Sequence, residues 1–85
     1  MTLELYGIAR KRAGAAEFTA TATTLGEALA ALERAHPSLS GEVVRAGRLA
    51  PHWRASLGGG AFVEDPSTPL PDRARLVILS GLAGG

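Results

Sequence analysis

One segment limits the possible folds more than any other. Thr24-Leu25-Gly26-Glu27 is a capping box: the Thr24 hydroxyl can accept from the Glu27 backbone N–H, and Glu27 can reach back to the cap. Leu25, Ala28, Leu29, Leu32 and His36 follow at helical spacing, with Glu33 and Arg34 outside that line, until Pro37 ends the run. The pattern predicts a helix of about three turns with one apolar stripe. A stripe of this kind must be covered by another layer, and here that layer has to be a sheet.

Strand signals supply it. Leu3, Leu5 and Gly7 alternate with Glu4, Tyr6 and Ile8, which predicts a first strand. Arg10 to Ala16 is charged and aperiodic and reads as a loop. Glu17 to Thr23 alternates again, with Phe18, Ala20 and Ala22 opposite three threonines, and the two strands most simply form a hairpin. Ser38 to Pro51 offers only a short helical turn seated by Leu39 and Val43 and loosened by Gly41 and Gly47. Trp53, Ala55 and Leu57 share one face of a third strand. Gly58-Gly59-Gly60 turns the chain into a short extended piece from Ala61 to Val63, and Glu64 to Pro71 is a proline-rich loop. Leu76-Val77-Ile78-Leu79 has no polar break, which predicts a central strand buried on both faces. The order gives an α+β fold: a mixed sheet with one main helix on one face, the β-grasp or ubiquitin-like roll. Residues 1–85 are expected to form a single domain, with 81–85 a free tail leaving the middle of the sheet.

Composition removes most function classes. A chain of 85 residues has a thin core and little room for a deep private active site. Nine Lys+Arg against eight Asp+Glu leave a net charge of +1, with no footprint for nucleic acid or a membrane surface. Without cysteine there is no disulfide, thiolate metal site or cysteine nucleophile, which fits a cytoplasmic protein. Met1-Thr2-Leu3-Glu4 opens in strand-like alternation rather than as a signal peptide, and no apolar run approaches a membrane span.

Ordinary catalytic groups are scarce. His36 and His52 lack a second ligand at metal-binding spacing. Gly58-Gly59-Gly60 is not followed by the Gly-Lys-Ser/Thr of a phosphate loop. Glu64, Asp65 and Asp72 lie among prolines as solvated acids. Arg10-Lys11-Arg12 is a solvated basic loop or a contact for an acidic partner or phosphate. Lys11 is the only lysine, which reflects either an arginine-rich composition or protection of an activated carboxylate from the chain's own amines. What remains is Gly84-Gly85. With no Cβ to crowd it, such an end can thread a cleft and present a carboxylate for activation by ATP.

Several segments, in this order, resemble the MoaD/ThiS family of ubiquitin-like sulfur carriers, and most closely its molybdopterin synthase small subunits. Leu5-Tyr6-Gly7-Ile8-Ala9-Arg10 is similar to the family's first strand and the run after it. Thr24-Leu25-Gly26-Glu27-Ala28-Leu29 and Ala35-His36-Pro37-Ser38-Leu39 are similar to its helix start and exit. Asp65 to Asp72 resembles its Thr-Pro-Leu loop, and Leu82-Ala83-Gly84-Gly85 its Gly-Gly end. The resemblance implies that Gly85 is adenylated and becomes a thiocarboxylate, with Gly81, Leu82, Ala83 and Gly84 as the partner-binding tail and Leu82 its apolar anchor. It implies no catalysis by this chain alone, no bound cofactor, and ATP used by a ubiquitin-activating-like adenylyltransferase of the MoeB/ThiF type. A sulfur donor enzyme and a large MoaE-type synthase subunit complete the implied set of partners. Arg73-Ala74-Arg75 departs from the family's acidic Gly-Asp-Glu, and Ser80-Gly81 replaces prolines common before the tail. These departures leave other acceptors open: thiamine, transfer-RNA thiolation or cysteine routes. A ubiquitin-like modifier joined to lysines through Gly85, or an inert β-grasp interaction module, are the rival readings.

Overall fold

The computed structural model describes residues 1–58 and 60–81. Its elements run β1 (Thr2–Leu5), α1 (Gly7–Ala13), β2 (Glu17–Thr19), α2 (Leu25–Ala35), a 3-10 turn (Pro37–Leu39), β3 (Val44–Arg45), β4 (Arg48–Leu49), β5 (Trp53–Leu57), β6 (Phe62–Val63) and β7 (Arg75–Ser80). The main sheet has the order β2-β1-β7-β5-β6, and β3-β4 is a separate two-stranded sheet. β1 and β7 pair in parallel while the other main-sheet pairs are antiparallel. The expected mixed sheet with a central last strand is therefore present, and this is the β-grasp arrangement.

The helix that organises the sequence organises the core. Leu25, Ala28, Leu29 and Leu32 of α2 share one buried cluster with Leu3 and Leu5 of β1, Ala55 of β5, and Leu76 and Ile78 of β7. Thr24 caps α2 as its sequence requires: the Glu27 N–H donates to the Thr24 hydroxyl at 3.2 Å. The reach-back differs by one residue. The Glu27 carboxylate accepts from the backbone N–H and hydroxyl of Thr23 at 2.8 and 2.9 Å. These bonds, first the backbone one, hold its pKa below the ordinary carboxylate value. The next free N–H groups, of Leu25 and Gly26, donate to the carbonyls of Thr68 and Pro66. The Glu64–Pro71 loop is thus strapped across the helix start, and its Leu70 is buried in the core. Thr24→Ala is expected to cost about 1 kcal/mol, seen as a fall of about 4–8 °C in melting temperature.

Four sequence expectations need correction. Strand β1 stops at Leu5, and Gly7–Ala13 is a helix rather than strand end and loop. Its residues are mostly Ala, Arg and Lys, good helix formers, and Gly14 closes it in the left-handed conformation (φ 72°) with its N–H on the Arg10 carbonyl. The antiparallel β1–β2 pair is joined through this helix, and β2 spans only Glu17–Thr19. Residues 38–51 hold the β3–β4 hairpin, turned at Ala46-Gly47 with φ of 52° and 76°. The Glu33 carboxylate pins this turn by accepting from the Ala46 N–H at 3.0 Å and the Ser40 hydroxyl at 2.6 Å. Finally, β7 is buried on one face only: Leu76 and Ile78 are sealed in the core while Val77 and Leu79 are half-buried on the other side.

Candidate functional site

The face of the sheet away from the core is read from the strand register. Glu4 of β1 lies beside Glu17 and Val77, Val77 beside Ser56, and Ser56 beside Phe62. Leu79 lies beside Arg54 in the next row. Alternation sends all of these residues to one side, opposite Leu3, Leu5, Ala55, Leu76 and Ile78. Phe62 is 62% exposed there and Tyr6, just past β1, is 46% exposed. Exposed aromatic rings flanking half-buried Val77 and Leu79 make an apolar strip, with Arg54 exposed along it. Alternation in β7 and the aromatic at position 62 are the sequence signals for this strip.

One edge of the face is charged. Arg75 Nη1 lies 3.0 Å from Glu4 Oε2 and 3.1 Å from Glu17 Oε2, and the Tyr6 hydroxyl donates to Glu4 Oε1 at 2.9 Å. The Tyr6 hydrogen bond, followed by that of Arg75, holds the Glu4 carboxyl below its ordinary range. A lowered carboxyl pKa contributes stability that is present above the unfolded value and lost as pH falls through the folded one. Tyr6→Phe is accordingly expected to raise the Glu4 titration midpoint toward the ordinary value, as followed by carbon NMR of its carboxyl. The triad also places the basic residue that departs from the family's acidic Gly-Asp-Glu. Arg75 opens β7 and Ser80 closes it, so the reversed charge sits roughly 17 Å from the tail rather than beside it. Within the fold it is paired with two acids.

The root of the tail is defined by Gly81. β7 runs to Ser80, which pairs with Trp53, and the Gly81 N–H then donates to the His52 carbonyl. His52 holds a left-handed backbone (φ 73°), a conformation uncommon for a residue with a side chain. A Cβ added at Gly81 would lie 3.2 Å from the His52 carbonyl oxygen, so glycine permits the close approach. His52, dismissed from the sequence as a metal ligand, acts here through its main chain. Leu82, Ala83, Gly84 and Gly85, the other expected site residues, lie outside the described residues, as does Gly59 of the expected glycine turn.

The remaining sequence candidates disperse. His36 is the C-cap of α2 and meets Phe18 edge to face at 5.7 Å between ring centres. The Asp65 carboxylate accepts from the backbone N–H and hydroxyl of Ser67, which keeps its pKa below the ordinary value and shapes the strap loop. Arg10, Lys11 and Arg12 occupy α1 rather than a loop. Among the described residues no cluster of three His, Cys, Asp or Glu could hold a metal, and no helix is long and apolar enough to cross a membrane.

No protein-family model matches this sequence, and no curated protein does. Solved structures do. SAMP1 from Haloferax volcanii superposes with a TM-score of 0.82 at 25% identity, over 100% of this chain and 98% of that one. A crystal structure of the H. volcanii small archaeal modifier protein 1 gives 0.81 at 24% identity, over 96% and 97%. A chain of the Amycolatopsis orientalis BexX/CysO complex gives 0.81 at 22% identity, over 99% and 98%. With the strand order described above, these end-to-end likenesses establish the ubiquitin-like β-grasp as the fold of this chain.

Proposed function

We propose that this chain is a sulfur carrier that works through Gly85. Its carboxylate is adenylated by a separate ATP-using, ubiquitin-activating-like adenylyltransferase, sulfur displaces AMP to give a thiocarboxylate, and the sulfur passes to an acceptor. The acceptor we assign is the precursor handled by a molybdopterin synthase, with a MoaE-type large subunit as partner in molybdenum cofactor synthesis. The observation that carries the reading is the position of β7. It is the central strand, it ends at Ser80 beside the exposed apolar strip, and residues 81–85 continue from there. A tail that follows β7 beside this apolar strip can enter another protein while the strip docks on it. Within such a tail, Gly84 gives passage and Leu82 anchors it by apolar contact. A likeness to a chain from the BexX/CysO complex supports work in company with a partner.

The deciding experiment is thiol-selective alkylation of the protein isolated from cells that hold its partners, followed by mass spectrometry of the C-terminal fragment. The chain has no cysteine, so a label on that fragment reports a thiocarboxylate. An unlabelled fragment overturns the assignment. A second reading, a modifier attached through Gly85 to lysines of other proteins, is favoured by the likeness to two structures of the H. volcanii small archaeal modifier protein SAMP1. Covalent conjugates in place of a labelled tail would decide for it. On either reading Phe62→Asp is expected to weaken binding to the adenylyltransferase by about tenfold with no change in melting temperature, because its ring is largely exposed. Titration calorimetry of the pair checks this.

A further inference from the structure

The direction of a tail is set at its root, and here the root meets a tight turn. Ala50-Pro51-His52-Trp53 is closed by the Trp53 N–H, which donates to the Ala50 carbonyl at 3.1 Å. Proline in the second place and a positive φ in the third, 73° at His52, are the pattern of a type II turn. Glycine or asparagine ordinarily fills that third place. His52 is exposed, so the turn rather than side-chain packing holds it there. Both ends of the turn are tied to the body of the domain. The Ala50 N–H donates at 2.8 Å to the carbonyl of Val43, a fully buried core residue, and Trp53 opens β5 opposite Ser80. What the turn presents to the end of β7 is the His52 carbonyl, which accepts from the Gly81 N–H.

We propose that His52 is a positioning residue: its left-handed main chain aims the carbonyl that grips Gly81, and this sets the direction in which the tail leaves the sheet toward the enzyme that activates it. The inference rests on the activation of Gly85 put forward above. Glycine is the least restrained of residues, so a glycine root without this bond would swivel. Four residues follow Gly81, and any four residues fully extended span at most about 14 Å. Over that length a rotation of about 5° at the root moves the far end by about 1 Å. A misplacement of about 1 Å at the reacting atoms can cost about 10²-fold in rate. The grip also explains the residue at 81, where an added Cβ would lie 3.2 Å from the His52 carbonyl oxygen. Neither His52 nor Gly81 belongs to the apolar strip of Tyr6, Phe62, Val77 and Leu79, so docking does not depend on them. Loss of the grip should therefore appear in turnover and not in apparent affinity.

The test compares three variants of the full chain. His52→Val puts a β-branched residue where φ is positive, which such residues strongly resist, and so turns the carbonyl away. His52→Asn tolerates the left-handed conformation and keeps the carbonyl aimed. Gly81→Ala disturbs the grip from the other side and carries the test should the valine chain not fold. Exchange of the Gly81 amide proton, followed by nitrogen NMR, reads the grip itself. Pyrophosphate exchange into ATP, catalysed by the adenylyltransferase of the same cells, gives kcat and KM for activation of the tail. In His52→Val and Gly81→Ala the Gly81 amide should exchange at least about tenfold faster, and kcat should fall about tenfold with KM unchanged. His52→Asn should keep the parent's values of all three. Parental kcat in the valine and alanine chains, a loss carried by KM alone, or an asparagine chain as impaired as the valine chain would each overturn the proposal. A parent chain that is not adenylated at all would refute the proposed function and this inference with it, whereas an active parent with indifferent variants would refute this inference alone.

Discussion

A chain lacking Gly85, or carrying one residue beyond it, is expected to fold as the parent does and to load no sulfur. One residue moves the reacting carboxylate by about 3.3–3.6 Å along an extended tail. Reacting atoms must meet at about 3–3.5 Å in the right orientation, and a misplacement of 1 Å can cost about 10²-fold in rate. A shift of a whole residue should therefore remove activation to below detection. Stability should not follow. The buried cluster of the sheet and α2 reaches no further along the chain than Ile78, and β7 ends at Ser80. The two readouts are the melting temperature, unchanged, and alkylation of the C-terminal fragment, lost. Loading that survives either change would rule out the terminal carboxylate as the carrier group.

Ile78→Ala is expected to destabilise the fold by about 3 kcal/mol, because a fully buried branched side chain is replaced by a cavity. For a domain of this size that is a fall of about 12–24 °C in melting temperature. Ile78 pairs with Leu5 on one side and Ala55 on the other, at the centre of the sheet, where little can collapse into the gap. Its neighbour Leu79 faces the opposite way and is only half-buried, so Leu79→Ala should cost about 1 kcal/mol, in proportion to the smaller area it removes from water. Scanning calorimetry of the two variants gives the comparison. Equal losses would show that β7 is buried on both faces after all.

That asymmetry marks where sequence pattern fails. Leu76-Val77-Ile78-Leu79 is apolar without interruption, and such a run ordinarily means two covered faces. Here the second apolar row, with Phe62 and Tyr6, is left open, and this is the surface a partner needs. α2 was legible to its cap because capping box, stripe and Pro37 agree. α1 was hidden because the alternation of β1 runs on into Gly7 and Ile8, and a one-turn overlap of periods cannot be parted by pattern alone. Gly14 was the missed signal. The β3–β4 hairpin has two residues in each strand, too few to alternate, and its turn carries alanine where asparagine would have announced it. The His52 carbonyl that meets Gly81 is a backbone contact between residues 29 apart, and no side chain advertises it.

Among the described residues β7 is the last strand in the chain, yet it is the only bridge between β1–β2 and β5–β6. Until it is in place the main sheet is two unconnected pairs, each with an edge open to water. Its parallel partner is the first strand, so the decisive pairing joins residues more than seventy positions apart. Contacts of that span form slowly and late. During synthesis the domain therefore cannot finish folding ahead of its own C-terminal strand. Whatever enzyme recognises the assembled sheet meets only chains already made through Ser80.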